Sequence, residues 1–204
     1  MRKVYLEITV FICGAVLMAF EIVGARMLGP WFGTSFQIWT GIIGVMLLSM
    51  AAGYFLGGRL ADRKPRADIL ALLIFLAGVI IFITTLLKEV VMLYLTRSIL
   101  NILTGSLVAS VIFFMIPSVL LGMVSPFAAR IKMKSVVQSG STIGNLYAIS
   151  TAGSIAGVFL AGFYLIPGFR ITDILQIIGT ILVAISLFVN AFYFYTRAAL
   201  INKK

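Results

Sequence analysis

One acidic side chain in this sequence sits where hydrocarbon would surround it. Glu21 lies inside the apolar run 4–28, about seven residues from the end of that run, or roughly 10 Å at the helical rise of ~1.5 Å per residue. A carboxylate at such depth costs several kcal/mol unless it is protonated or partnered. Two chemistries suit it: a site for a cation or a proton, or a buried structural hydrogen bond. The nearest cation in sequence is Arg26. Five residues at ~100° each carry it about 140° around a straight helix, so the two side chains do not meet directly. Glu21 is therefore expected to face the interior of a helix bundle, with Arg97, Gln37, Thr40 or Asn101 as partners at similar depth. Together with Arg26, Tyr54, Asn145 and Tyr147, the residues Glu21, Gln37 and Arg97 make up the candidate substrate-binding set.

A second constellation closes the stretch Met50–Asp68, where Arg59, Asp62, Arg63, Lys64 and Arg66 gather around Pro65. Hydrocarbon that gives way within a turn to basic residues is how a spanning helix leaves the bilayer on its cytoplasmic side. Arg59, Asp62 and Arg63 are expected beside Arg130, in a charge cluster that holds the inner face together, with gating as the sharper alternative. Asp62 also stands where it can cap the following helix. The chain has no His and one Cys, Cys13. A disulfide within the chain, a Cys/His metal site and His-based acid–base catalysis are thereby excluded. No metal or cofactor is implied.

The elements that must position these groups are legible from hydropathy. Of 204 residues 62% are hydrophobic and 11% charged, and the mean hydropathy is +1.16, far from the ~25% charged of soluble domains. Six segments reach the ~20 apolar residues that a membrane span needs: 4–28, 36–60, 69–87, 103–131, 142–166 and 174–195. The expected fold is an all-α polytopic bundle of six transmembrane helices. Lys88–Asn101 carries charges at both ends and in the middle, and reads as a short interfacial helix, with a re-entrant or seventh span as the alternatives. The opening Met1-Arg2-Lys3 resembles a signal peptide, but the apolar run after it is too long and holds Glu21.

Charge sets the orientation. With 16 Lys and Arg against 6 Asp and Glu the net charge is +10. The cations sit at the ends of apolar segments, which points to anionic lipid and not to nucleic acid. Twelve of them (Arg2, Lys3, Arg59, Arg63, Lys64, Arg66, Arg130, Lys132, Lys134, Arg197, Lys203, Lys204) fall on the side of the termini. Lys88, Arg97 and Arg170 fall on the other, with Arg26 near that end of the first span. This asymmetry predicts a multi-pass protein of the cell membrane with both termini in the cytoplasm.

An offset of 104 residues overlays the two halves, 1–102 and 103–204. Ala52-Gly53, Phe55-Leu56 and Gly58 fall on Ala156-Gly157, Phe159-Leu160 and Gly162, Arg66 on Arg170, and Ala25-Arg26 on Ala129-Arg130. Three spans separate the copies, so the second unit is inverted relative to the first, as in many secondary transporters. Lipid supplies no hydrophobic drive between helices, so small residues mark their contacts. Gly53 and Gly57 form one such face on the second span; Gly140, Gly144, Ala148 and Ala152, and then Gly153 and Gly157, form two on the fifth. Two faces place the fifth span centrally. Pro117 and Pro126 are expected to kink the fourth.

The motifs EIVGARMLGPWFGTS (21–35), WTGIIGV (39–45), GYFLGGRLADRKP (53–65), SPFAARI (125–131) and GNLYAISTAGSIAGVFLAGFYLIPG (144–168) resemble the membrane domain of spermidine synthase-like membrane proteins. In that family a major-facilitator-like membrane part is fused to a spermidine synthase-like domain. The resemblance covers nearly the whole chain and is weakest over 69–103. Gly58-x-x-x-Asp62-Arg63 is similar to the loop motif of major facilitator transporters, with Pro65 in place of the usual Gly. It implies a half-major-facilitator-like bundle. Neither the glycine-rich nucleotide loop nor the polyamine-binding carboxylates of the family's catalytic part occur in these 204 residues, so aminopropyl transfer is not expected of this polypeptide. Two functions remain open. One is a transporter or binding module for a small polyamine-like metabolite, with a homodimer as its complete form. The other is a membrane anchor for a separate cytoplasmic spermidine synthase-like enzyme.

Overall fold

The computed structural model describes residues 4–133 and 139–201, the side chains of 139 and 196–201 excepted. Among these residues every long element is helical: α1 (Val4–Phe32), α2 (Phe36–Arg63), α3 (Ala67–Ser98), α4 (Ile102–Gly122), α5 (Val124–Lys132), α6 (Ser139–Leu160), a π-helical turn (Ala161–Leu165), α7 (Ile166–Gly168) and α8 (Ile171–Ile201). Six helical stretches are long and apolar enough to cross a membrane, α4–α5 and α6–α7 each counting as one. An even number of passes puts both chain ends on one face, called here the terminal face. Arg2, Lys3, Lys134, Lys203, Lys204 and the side chain of Arg197 lie outside the described residues.

Local chemistry explains the boundaries. Gly33 ends α1 in the left-handed conformation, φ +85°, which a side chain would disfavour, and its N–H reaches the Gly29 carbonyl at 2.8 Å. Asn101 starts α4, its Oδ1 accepting from the N–H groups of Leu103 and Thr104 at 3.0 and 3.2 Å. The fourth span breaks at Met123. Pro126 has no N–H, and its ring crowds the carbonyl four residues back, which is that of Gly122, the last residue of α4.

Two expectations about elements are corrected. Lys88–Asn101 is no separate interfacial, re-entrant or seventh helix: α3 runs unbroken through Ser98. No Gly or Pro interrupts 88–98, and Met92 and Leu95 are buried against the bundle, so nothing stops the helix. Its 32 residues span about 48 Å at ~1.5 Å each, longer than the ~30 Å hydrocarbon layer. The fifth span is not central either. Only 17% of its apolar window is buried, against 61% for α1 and 56% for α4–α5.

α1 packs chiefly on α6, α2 on α4 and α5, and α3 on α8. Exchanging the halves by 104 residues turns the first pair into the second, maps α3·α8 onto itself, and turns α3·α4 into α8·α1, a pair also in contact. The register agrees. A Cβ on Gly53 would overlap the Val119 carbonyl, and one on Gly157 would overlap that of Ala15. These two contacts are related by the same offset. Gly57 meets Met123, Gly153 meets Phe11, and Gly78 meets the Leu182 Cβ at 3.0 Å, its own counterpart across the exchange. Helix pairs in one half thus recur in the other under the same offset. The backbones approach because glycine leaves room, as in other membrane bundles. Over Gly140 and Gly144 there is open space, so only one of the two small faces on α6 is packed within the chain.

Candidate functional site

Glu21 is half-buried on α1, between the buried Leu17, Gly24 and Ala25 on one side and Met18 and Ile22 beside the exposed stripe on the other. Among the described residues it makes no hydrogen bond and no ion pair. The partners expected for it are engaged or exposed elsewhere. The Thr40 hydroxyl donates to the Phe36 carbonyl at 2.9 Å, Asn101 caps α4, and Gln37 and Arg97 are exposed at helix ends. Arg26 is also exposed and lines a cleft on the face opposite the termini. None of the four partners expected for Glu21 pairs with it among the described residues. Thr40 and Asn101 find an acceptor or donor on their own helix, a contact that needs no tertiary alignment.

Tyr54 and Tyr147 do come together. Their rings stand edge to face, 6.5 Å between centroids, where α2 and α6 converge over α5. Asn145 is exposed two residues before Tyr147. Beneath them the Ser125 and Ser150 hydroxyls lie 3.2 Å apart, and Ser154 donates to the carbonyls of Gly14 and Ser150 at 3.3 and 3.1 Å. This ladder links α5, α6 and α1. Ser125 was not singled out by sequence. Its signal was the 104-residue offset, which places it opposite Glu21.

On the terminal face the Arg130 guanidinium meets the Asp62 carboxylate at 2.8 Å. Arg59 lies over the Phe55 ring, 4.0 Å from its centroid, and Arg63 is exposed. Asp62 does not cap the following helix: it lies within α2, and the N-cap position of α3 is Arg66, which makes no side-chain capping hydrogen bond and pairs with Asp68 of the first turn at 2.6 Å. The hydrogen bonds that Arg66 donates to Asp68, and then the Asp68 charge, hold the guanidinium above its ordinary value. A third pair was not foreseen. Lys132 of α5 reaches Glu7 of α1 at 2.5 Å, with the lysine side chain only 8% exposed. Glu7 stands one turn into α1, the depth at which a lysine from a neighbouring helix end can still reach it.

Among the described residues no group of His, Cys, Asp and Glu is arranged to hold a metal ion. The arrangement offers a carboxylate at hydrocarbon depth, a tyrosine pair, a hydroxyl ladder and two arginine-bearing faces. Compared with known proteins, the chain matches no family model, no curated relative and no solved structure.

Proposed function

We propose that this multi-pass membrane protein is a carrier-like module for a small organic cation of the polyamine type, with Glu21 as the group that receives it. The observation that carries this reading is the state of Glu21: half-buried in a span, flanked on its own helix by apolar residues and without a partner among the described residues. An intramembrane carboxylate retained without a structural partner is costly and marks a binding or proton-relay position. The resemblance of the motifs around it to spermidine synthase-like membrane proteins supplies the substrate class. Inverted halves place such sites near the bilayer midplane. The unfilled small-residue face on α6 gives a second copy a surface to approach. The basic terminal face, with Arg59, Arg63, Lys64 and Arg130 all exposed, supports a cytoplasmic position for both termini in the cell membrane.

A second reading has its own observation. The three described clefts lie at the face opposite the termini and Glu21 lines none of them. A bundle whose described clefts do not reach its carboxylate suits an anchor that holds a separate synthase-like enzyme at the terminal face. Uptake separates the two. Vesicles containing the protein are expected to accumulate labelled spermidine, and Glu21→Gln is expected to abolish that accumulation. Accumulation equal to that of empty vesicles overturns the carrier reading and leaves the anchor.

A further inference from the structure

The two ends of the bundle treat equivalent arginines differently. Under the 104-residue offset, Arg130 corresponds to Arg26 and Arg66 to Arg170. On the terminal face both are neutralised: Arg130 by Asp62 at 2.8 Å and Arg66 by Asp68 at 2.6 Å. On the opposite face the arginines persist and both carboxylates are gone. Ile166 stands where Asp62 would, and Thr172 where Asp68 would. Among the described residues neither Arg26 nor Arg170 has an ion-pair partner.

These two arginines line one cleft of about 450 Å³. Three further features belong to it. Pro30, Ile166 and Phe169 give it apolar walls, and Thr34 adds a hydroxyl. The N-terminus of the 31-residue α8 begins at Ile171, which lines the same cleft, and the first N–H groups of a helix favour negative charge. Lys88 stands alongside, donating to the Thr172 hydroxyl at 2.5 Å. Lys88 and Glu89 both line an adjoining cleft of about 150 Å³ that shares Arg26, Pro30 and Ile171 with this one, and Asp173 lines neither. A π-helical turn followed by Pro167 re-phases the end of α6 here, whereas the corresponding part of α2 is regular helix.

We propose that this cleft binds a phosphate-bearing organic anion, its phosphate held between Arg26 and Arg170. Paired guanidinium groups match phosphate oxygens in geometry and charge, and the apolar walls accommodate the organic part. The phosphate comes either from a soluble ester or from the headgroup of an anionic lipid, since the cleft lies near the membrane surface. The site does not depend on the carrier reading above.

Two probes distinguish the sources. Purified, delipidated protein in neutral detergent is titrated calorimetrically with sn-glycerol 3-phosphate. In parallel, native mass spectrometry compares retention of phosphatidylglycerol with that of the matching diacylglycerol, which lacks the phosphate. Binding of the soluble ester assigns a soluble ligand; retention of phosphatidylglycerol alone assigns a lipid headgroup. In either case, Arg26→Gln with Arg170→Gln is expected to weaken binding at least tenfold. Ile166→Asp, which restores the carboxylate of the terminal face, is expected to do the same. The charge-matched pair Arg63→Gln with Lys64→Gln is expected to leave binding within twofold. All four positions other than Ile166 are exposed, and unchanged thermal unfolding verifies that each variant is folded. The proposal is overturned if neither probe binds, if binding survives both changes in the cleft, or if the charge-matched pair weakens it equally.

Discussion

The two halves of the chain are alike where helices touch and unlike where polar groups stand. Gly53 against Val119 and Gly157 against Ala15 are the same contact made twice. Glu21 and Ser125 occupy equivalent positions yet differ in fate: Ser125 shares a hydrogen bond with Ser150 at 3.2 Å, and Glu21 has no described partner. Arg130 holds Asp62, while Arg26 faces Ile166 across an open cleft. Packing has kept the symmetry and chemistry has left it. The departures are therefore where binding is to be sought.

The terminal face is the more strongly tied of the two ends, and breaking it should cost most. In Lys132→Ala the Glu7 carboxylate loses its cation where the lysine side chain is only 8% exposed. Removing one partner of a fully buried pair costs ~3–5 kcal/mol; because Glu7 retains 29% exposure, a loss of about 2–4 kcal/mol is expected, read from unfolding in detergent. Next come the paired glycines. Gly53→Val and Gly157→Val each drive a side chain into a neighbouring carbonyl, and overpacking of this kind costs ~1–3 kcal/mol. The two losses should be of the same order; a large effect in one half alone would break the equivalence. The smallest effect separates the arginines. Arg130→Gln removes a surface pair worth ~0–1 kcal/mol, while Arg26→Gln removes no pair and should leave unfolding unchanged or slightly improved. Equal losses would mean that Arg26 is as structural as Arg130.

Much of the bundle was legible because hydropathy alone marks lipid-length helices, and the small-residue spacing marks where they touch. The parts that differ do so for separate reasons. Lys88–Asn101 was separated from the third span by its charges, but charge does not end a helix that lacks Gly and Pro, and burial of Met92 and Leu95 carries it on. The face Gly140–Ala152 was read as packed, since small residues signal close approach without naming the neighbour. Partners for Glu21 were guessed from depth, although depth says nothing about rotation around the helix. The arginine contrast was half visible: the overlay of Arg26 on Arg130 was in the sequence. Its meaning depended on seeing Asp62 and Asp68 engaged at one end.

Equilibrium binding of labelled spermidine to the detergent-purified protein, compared between wild type, Glu21→Gln and Arg26→Gln with Arg170→Gln, tests the central claim most directly. The account predicts saturable binding to wild type, its loss in Glu21→Gln, and its retention in the arginine pair. Binding that is undiminished in Glu21→Gln, or absent from wild type, would contradict it.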